Sequence, residues 1–204
     1  MAKIKNTKTE LKAQNDALKR YRRFLPMLQL KKQQLQLEIA SITARIEVVA
    51  RREADLLAAS ASWLALFSDS EIPADLAVLD SVETDKGNIA GVAIPLYRAT
   101  RVRRGELDLF ATPSWYDDAQ QLIEARLALA AEKQVLEEQR RLVTAELTTT
   151  SQRCNLFEKV KIPECRENIR VIRIHLGDEQ TAAVARGKLA KKRGTAAAEE
   201  EDAA

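Results

Sequence analysis

Few residues in this 204-residue chain have the type and spacing that catalysis or metal binding requires. His175 is the only histidine, and it lies among aliphatic residues. In such a helical stretch a histidine is far more often a surface residue, or part of the contact between two helices, than a catalytic base. The cysteines Cys154 and Cys165 have no partner at metal-ligand spacing, which argues against zinc. Gly187-Lys188 lacks the first glycine of a phosphate loop. We therefore expect no catalytic residue, no metal and no cofactor.

The composition is typical of long helices. Ala, Leu, Glu, Lys and Arg make up about half of the chain, as in coiled coils, and there are only 6 Gly, 5 Pro and 4% aromatic residues. So few turn-forming residues argue against an all-β domain and a doubly wound α/β enzyme. No apolar run reaches the roughly 18 residues that span a bilayer. Residues 1–12 lack the apolar core of a secretory signal, so we expect a cytosolic, reduced protein.

Positive charge is concentrated near both ends of the chain. The formal net charge is +3, but residues 1–33 hold ten Lys/Arg and two Asp/Glu, and 186–193 hold five more cations. The two basic ends allow three interpretations: an ordinary solvated face, a surface that binds nucleic acid, or a surface that enters an acidic or carbonyl-lined socket of a partner protein. Only Tyr21 and Phe24 interleave the basic stretch, which is weak support for nucleic acid.

The first arm, residues 1–67, has the seven-residue repeat of a coiled coil. Two series of apolar residues alternate at spacings of three and four, with Lys32 and Glu53 as exceptions. The series are Ile4, Leu11, Leu18, Leu25, Ile39 and Ile46, and Tyr21, Leu28, Leu35, Ile42, Val49, Leu56 and Trp63. Pro26 predicts a kink rather than a break, because the repeat keeps its phase on both sides.

The second arm, residues 113–190, repeats the pattern. Thr112-Pro113 predicts the helix start, and Pro163 predicts another kink. The apolar positions are Leu122, Leu129, Leu136 and Val143, then Cys165, Ile169, Ile172 and Leu176. The low-complexity, acidic end, residues 191–204, predicts a disordered tail.

The middle, residues 68–112, contains two β-like runs at 92–97 and 99–103, with turn signals at 85–88 and 104–105. Pro95 restricts its strand to a sheet edge. The predicted fold class is all-α dominated: a long antiparallel two-helix coiled coil with a small central β-hairpin cap. Folding back brings the two basic ends together.

Three blocks resemble the D subunit of V-type and A-type rotary ATPases. The middle block is 88–95. The N-terminal block is Thr7, Lys8, Leu11, Leu18, Leu28, Lys31, Lys32 and Leu35. The C-terminal block is Arg153, Cys154, Asn155, Leu156, Phe157, Glu158, Ile162, Pro163, Asn168, Ile169 and Ile172. Departures at Tyr21, Phe24, Pro26 and 154–157 indicate a divergent branch.

The resemblance implies a non-catalytic rotor shaft that transmits torque between an ATP-hydrolysing hexamer of A and B subunits and a membrane ring carrying H⁺ or Na⁺. It implies a small F subunit and a C- or d-type socket subunit as further partners. It also implies a peripheral location on the cytoplasmic face, without nucleic acid or membrane insertion. We expect an electrostatic bearing in the hexamer at Lys8, Lys12, Arg20, Arg23, Arg186 and Lys188. We expect Arg98, Arg101, Arg103 and Arg104 to face a neighbouring subunit.

A stand-alone coiled-coil adaptor or tether is the next interpretation, followed by a basic nucleic-acid binder and, last, an enzyme. The blocks at 7–35, 88–95 and 153–172 favour the rotor shaft, since a generic coiled coil needs none of them.

Overall fold

A computed structural model describes residues 5–64, 76–106 and 112–201. The elements in chain order are α1 (Lys8–Leu64), β1 (Ala77–Ile89), β2 (Val92–Arg104), α2 (Tyr116–Asn155), a π-helical segment (Leu156–Lys161) and α3 (Ile162–Glu201). This order confirms the predicted fold class, a helical coiled coil with a small hairpin. The predicted segment boundaries stay predictions, and Ile4 and residues 65–67 lie outside the described residues.

The chain forms two compact units. We call residues 30–151 the hairpin unit, and residues 1–29 together with 152–204 the terminal unit.

Helix α1 begins with a capping interaction and continues through a proline. The backbone N–H of Glu10 donates to Oγ1 of Thr7 at 3.3 Å, which satisfies one of the free donors of the first turn. Pro26 lies inside α1, and the helix continues to Leu64. The prediction that Pro26 does not break the helix is confirmed; the kink stays a prediction.

Within the hairpin unit, α1 and α2 run antiparallel. Lys31, early in α1, pairs with Glu146, late in α2, whereas Glu53 pairs with Arg126 and Lys133, nearer the start of α2. The core between the helices comes from both repeats: Leu35, Ile42, Ile46, Val49, Leu136 and Val143. Every described residue of the two predicted series in α1 is at least partly buried, so the predicted phase of the repeat is confirmed.

Strands β1 and β2 form one antiparallel hairpin. Ile89 pairs with Val92 across a two-residue turn, in which Ala90 has φ 50° and Gly91 has φ 85°. Positive φ at both central residues matches a type I′ turn. The side-chain oxygen of Asn88 accepts a hydrogen bond from the Gly91 N–H at 2.8 Å, closing the turn.

The structure corrects the predicted strands. The runs 92–97 and 99–103 belong to one strand, β2, whose partner is β1. The predicted turn at 85–88 lies inside β1. Its polar residues sit on a two-stranded sheet that leaves many side chains exposed, so local turn preference loses to cross-strand pairing.

The second arm becomes helical later than predicted. Thr112 and Pro113 lie in the turn before α2, which begins at Tyr116 with its N–H donating to the carbonyl of Pro113 at 3.1 Å. Asp117 and Asp118 occupy the first helical turn, as expected near the positive end of the helix dipole.

The terminal unit has its own apolar seam. Its buried residues are Cys154, Ile162, Cys165, Ile169 and Ile172. The rings of Tyr21 on α1 and Phe157 lie 5.0 Å apart, which joins the N-terminal arm to the π-helical segment. Beyond Leu176, every residue from 177 to 193 is exposed, so this part of α3 has no buried face.

Candidate functional site

The described residues offer surfaces rather than a catalytic centre. His175 is exposed. Cys154 and Cys165 are buried free thiols, and burial, reinforced by the neighbouring Glu164 carboxylate, raises the pKa of Cys165. Across 5–64, 76–106 and 112–201, no group of His, Cys, Asp and Glu could hold a metal ion. Over the same ranges, no helix combines the length and apolarity needed to cross a bilayer.

The π-helical segment resets the phase of the heptad repeat. The buried or half-buried pair Cys154 and Phe157 predicts the next seam positions at 161 and 164, seven residues on. The buried positions are instead Ile162 and Cys165, one residue later. The segment Leu156–Lys161 lies between the two phases. A π turn holds more residues than an α turn, so it absorbs the extra residue.

The hydrogen bonds at this segment show how the extra residue is held. The N–H of Ile162 donates to the carbonyl of Phe157, five residues back. Pro163 follows and has no N–H to contribute to the helix. Lys161 pairs with Glu164 at 3.1 Å, and this hydrogen bond raises the pKa of Lys161. The π segment was not predicted, although the one-residue offset is visible in the sequence.

The six cations of the expected bearing all lie in the terminal unit and are all exposed: Lys8, Lys12, Arg20, Arg23, Arg186 and Lys188. None of the six forms an ion pair with another described residue. Arg186 and Lys188 lie on the part of α3 that has no buried face. The charges of all six cations are therefore not neutralised by other described side chains.

Several residues of the resemblance blocks have structural roles. Thr7 caps α1, and Lys31 bonds Glu146 at 2.6 Å. Ile162 and Ile169 are buried in the terminal seam, whereas Leu11, Leu18 and Leu28 are half-buried. The exposed members include Lys8, Arg153, Asn155, Glu158 and Pro163.

The four central arginines lie on β2 and are exposed, but three of them have partners within the chain. Arg98 lies 3.7 Å from Asp85, Arg101 pairs with Glu83, and Arg104 binds Glu124 of α2 at 2.6 Å. Arg103 forms no ion pair with a described residue. Of these four arginines, Arg103 is thus the most available to a neighbouring subunit.

The hairpin is fixed to α2 at both of its ends. At the tip, Ile94 is 3% exposed and belongs to the core, with Ile89 and Val92 packed against it. Nε2 of Gln139 donates to the Pro95 carbonyl at 2.6 Å. At the base, Nε2 of Gln120 donates to the carbonyls of Leu76 and Gly105 at 2.8 and 3.1 Å.

Sequence reasoning missed these glutamines and left Glu53 unexplained. Glu53 occupies a seam position and lies 3.6 Å from Arg126 and 4.0 Å from Lys133. The sequence signal for the partners of Glu53 was a pair of cations seven residues apart on the second arm, Arg126 and Lys133. No sequence signal pointed to Gln120 and Gln139, because their hydrogen-bond partners are backbone carbonyls of the hairpin.

Comparison of the sequence with known proteins identifies its family. The sequence model of the family described as the ATP synthase D subunit matches residues 10–192. A V-type ATP synthase D subunit of Borreliella burgdorferi is 42% identical, with 94% of this chain and 95% of the relative covered. A protein of the same name from Chlamydia muridarum is 32% identical, over 94% and 96% of the two chains.

A V-type ATP synthase D subunit from Chlamydia trachomatis is 30% identical over 94% of this chain and 96% of its own length. These matches include the α1 seam, the hairpin and the π-helical segment together. This chain belongs to the family of ATP synthase D subunits, the non-catalytic central-stalk subunits of V-type rotary ATPases.

Proposed function

We propose that this chain is the rotor shaft that transmits torque between the ATP-hydrolysing hexamer and the ion-carrying ring of a V-type ATPase. The main support is the antiparallel contact between α1 and α2. Apolar packing holds these two helices together, and so do ion pairs at widely separated positions along α1. A shaft must resist twisting, and close-packed interiors deform little under load. The family match disfavours the alternative of a free-standing adaptor or tether.

We propose that the terminal unit turns inside the hexamer of A and B subunits. The support is charge: the exposed cations Lys8, Lys12, Arg20, Arg23, Arg186 and Lys188 lack described ion-pair partners. Coulombic attraction falls off gradually with distance, so an acidic or carbonyl-rich sleeve can hold a basic shaft at many angles. Close apolar packing would favour one angle.

Charge reversal tests this bearing in the assembled ATPase. Changing Lys8, Lys12, Arg20 and Arg23 to Glu should lower ATP-driven ion pumping relative to ATP hydrolysis, and the deficit should shrink as ionic strength rises because dissolved ions screen exposed charges. The matched control keeps every charge by exchanging Lys for Arg and Arg for Lys at the same four positions. Equal pumping by the reversed and control complexes would contradict the bearing.

We further propose that the central segment faces the small F subunit and that a C- or d-type subunit holds the shaft above the ring. The complex then places this chain at the cytoplasmic face of a membrane. The exposed, unneutralised charge of Arg103 supports the F-subunit contact. Arg103→Glu should weaken binding of purified F subunit, measured by calorimetry, whereas Lys86→Glu on the neighbouring strand should not.

The overall assignment has a direct test. Affinity purification of the tagged chain from its own cells should recover two large ATPase subunits, one of them with a phosphate loop. Recovery of nucleic acid, or of unrelated cargo without those subunits, would contradict the rotor assignment.

A further inference from the structure

A groove of about 490 Å³ lies in the hairpin unit, between the hairpin and the two helices. One side is α1, with Arg45, Val48 and Arg52, and the other is β2, with Leu96 and Tyr97. The buried side chain of Leu136 on α2 also lines it. We call this the hairpin groove.

The groove presents apolar surface to its surroundings. Val48 is 46% exposed and Leu96 is 39% exposed, although both lie beside the core cluster of the unit. Removing such apolar side chains from water is favourable. A partner that fills the groove therefore gains from covering both side chains.

The charges along the groove select the kind of partner. Arg45 and Arg52 are exposed, and neither forms an ion pair with a described residue. They lie seven residues apart on α1, so they share a face about 10.5 Å apart, with Val48 between them. The groove thus has two unneutralised cations at heptad spacing on either side of an aliphatic side chain. One carboxylate, that of Glu132 on α2, also lines the groove and pairs with neither arginine, so the lining residues keep a net positive charge.

This spacing fits a helix better than a strand. Two carboxylates seven residues apart on a helix also lie about 10.5 Å apart on one face. A strand advances about 3.3 Å per residue, so the same separation falls at every third residue. Residues three apart in a strand point to opposite faces and cannot both reach the two arginines.

We propose that the hairpin groove binds an amphipathic helix of a partner protein, with two carboxylates seven residues apart that pair with Arg45 and Arg52. An aliphatic side chain between the carboxylates packs on Val48 and Leu96. The inference rests on the proposed function, since the partner helix belongs to another subunit of the ATPase.

Photocrosslinking in the intact ATPase tests the inference. The tagged chain carries the photoreactive residue p-benzoylphenylalanine at position 48, and the irradiated complex is digested and sequenced by mass spectrometry. Position 54, an exposed alanine of α1 outside the groove lining, carries the same group as the control. Position 48 should crosslink at least fivefold more than position 54, to a helical peptide with Asp or Glu seven residues apart.

Charge exchange then tests the two arginines. Arg45→Glu with Arg52→Glu should lower the crosslink yield at position 48 at least tenfold, and Lys at both carboxylates of the crosslinked peptide should restore it to within threefold. Arg51→Glu, exposed and outside the lining, should change the yield less than twofold. Circular dichroism checks that each variant remains folded.

The outcomes separate this inference from the assignment beneath it. If the chain copurifies with the A and B subunits but position 48 crosslinks no more than position 54, or crosslinks a segment without paired carboxylates, the groove proposal is wrong and the rotor assignment stands. An unchanged yield in the double charge variant also overturns it. If the chain does not copurify with the A and B subunits, both fail.

Discussion

Lys31 of α1 and Glu146 of α2 are separated by 115 residues in the sequence, yet their side chains bond at 2.6 Å. The side chains are 34% and 29% exposed, so the pair lies at the edge of the seam, partly shielded from water. Its position shows which turn of α1 faces which turn of α2. The pair therefore marks the alignment that the apolar core between the helices maintains, and it adds a modest amount to their stability.

A double-mutant cycle on Lys31→Met and Glu146→Gln should give a coupling of about 0.5–1 kcal/mol, the upper range for partly exposed pairs. The coupling should shrink in 1 M salt because ions screen the charges. Urea denaturation of the four proteins measures it. A cycle on the exposed neighbours Glu138 and Arg141 is the control and should give a smaller coupling. Equal couplings would contradict the account of Lys31 and Glu146.

Leu35→Asp should destabilise the chain by about 3–5 kcal/mol, because it leaves an unpaired charge in the core. Leu35 is fully buried. Leu37→Asp makes the same chemical change two residues away, at a side chain that is 73% exposed, and should have little effect. Urea denaturation compares the two. Similar losses would mean that the seam has been placed on the wrong face of α1.

Ala90→Asn should stabilise the chain by roughly 1 kcal/mol, because Ala90 has φ 50° and alanine pays a steric penalty in that region. Asparagine followed by glycine is also the preferred pair for a type I′ turn. The free energy of unfolding in urea is the measurement. Ala93→Asn, an exposed position in β2, provides no such relief and should give no gain. A loss of stability in Ala90→Asn would contradict the turn geometry.

Gln120→Leu should cost about 1–3 kcal/mol, since the carbonyls of Leu76 and Gly105 both lose the Gln120 amide, and only that of Leu76 keeps a donor, the N–H of Gly105 at 3.0 Å. Gln139→Leu should cost less. It loses one hydrogen bond to Pro95, but it also removes the buried Oε1, which has no partner among the described residues. Thermal and urea denaturation of both variants make the comparison. A larger loss for Gln139→Leu would show that the amide of Gln139 is better satisfied than its geometry indicates.

Deleting Val160, an exposed residue of the π-helical segment, should be tolerated. The deletion removes the extra residue and lets an ordinary α-helix keep both phases of the seam aligned. Deleting Val171, equally apolar and exposed but inside α3, should destabilise strongly because it shifts Ile172 out of the seam. Helicity by circular dichroism and the melting temperature distinguish them. Matching losses would show that the π segment does not absorb a phase shift.

Periodic burial made the helices predictable from sequence. Leu35, Ile42 and Val49 are spaced by sevens and are buried, since a two-helix seam imposes its period on the chain. The hairpin was less predictable: β1 has few apolar residues, and its place in a sheet depends on pairing with β2. The anchoring by Gln120 and Gln139 depends on backbone carbonyls that only the folded hairpin brings near.

The hairpin packs against one side of the helix pair, with Ile94 in the core and Gln139 holding Pro95. Two similar antiparallel helices alone look almost the same after half a turn about their common axis. A hairpin on one side removes that near-equivalence, so the cross-section of the hairpin unit has a single orientation in each full revolution. A partner that surrounds this unit can therefore distinguish one angular position from the one opposite.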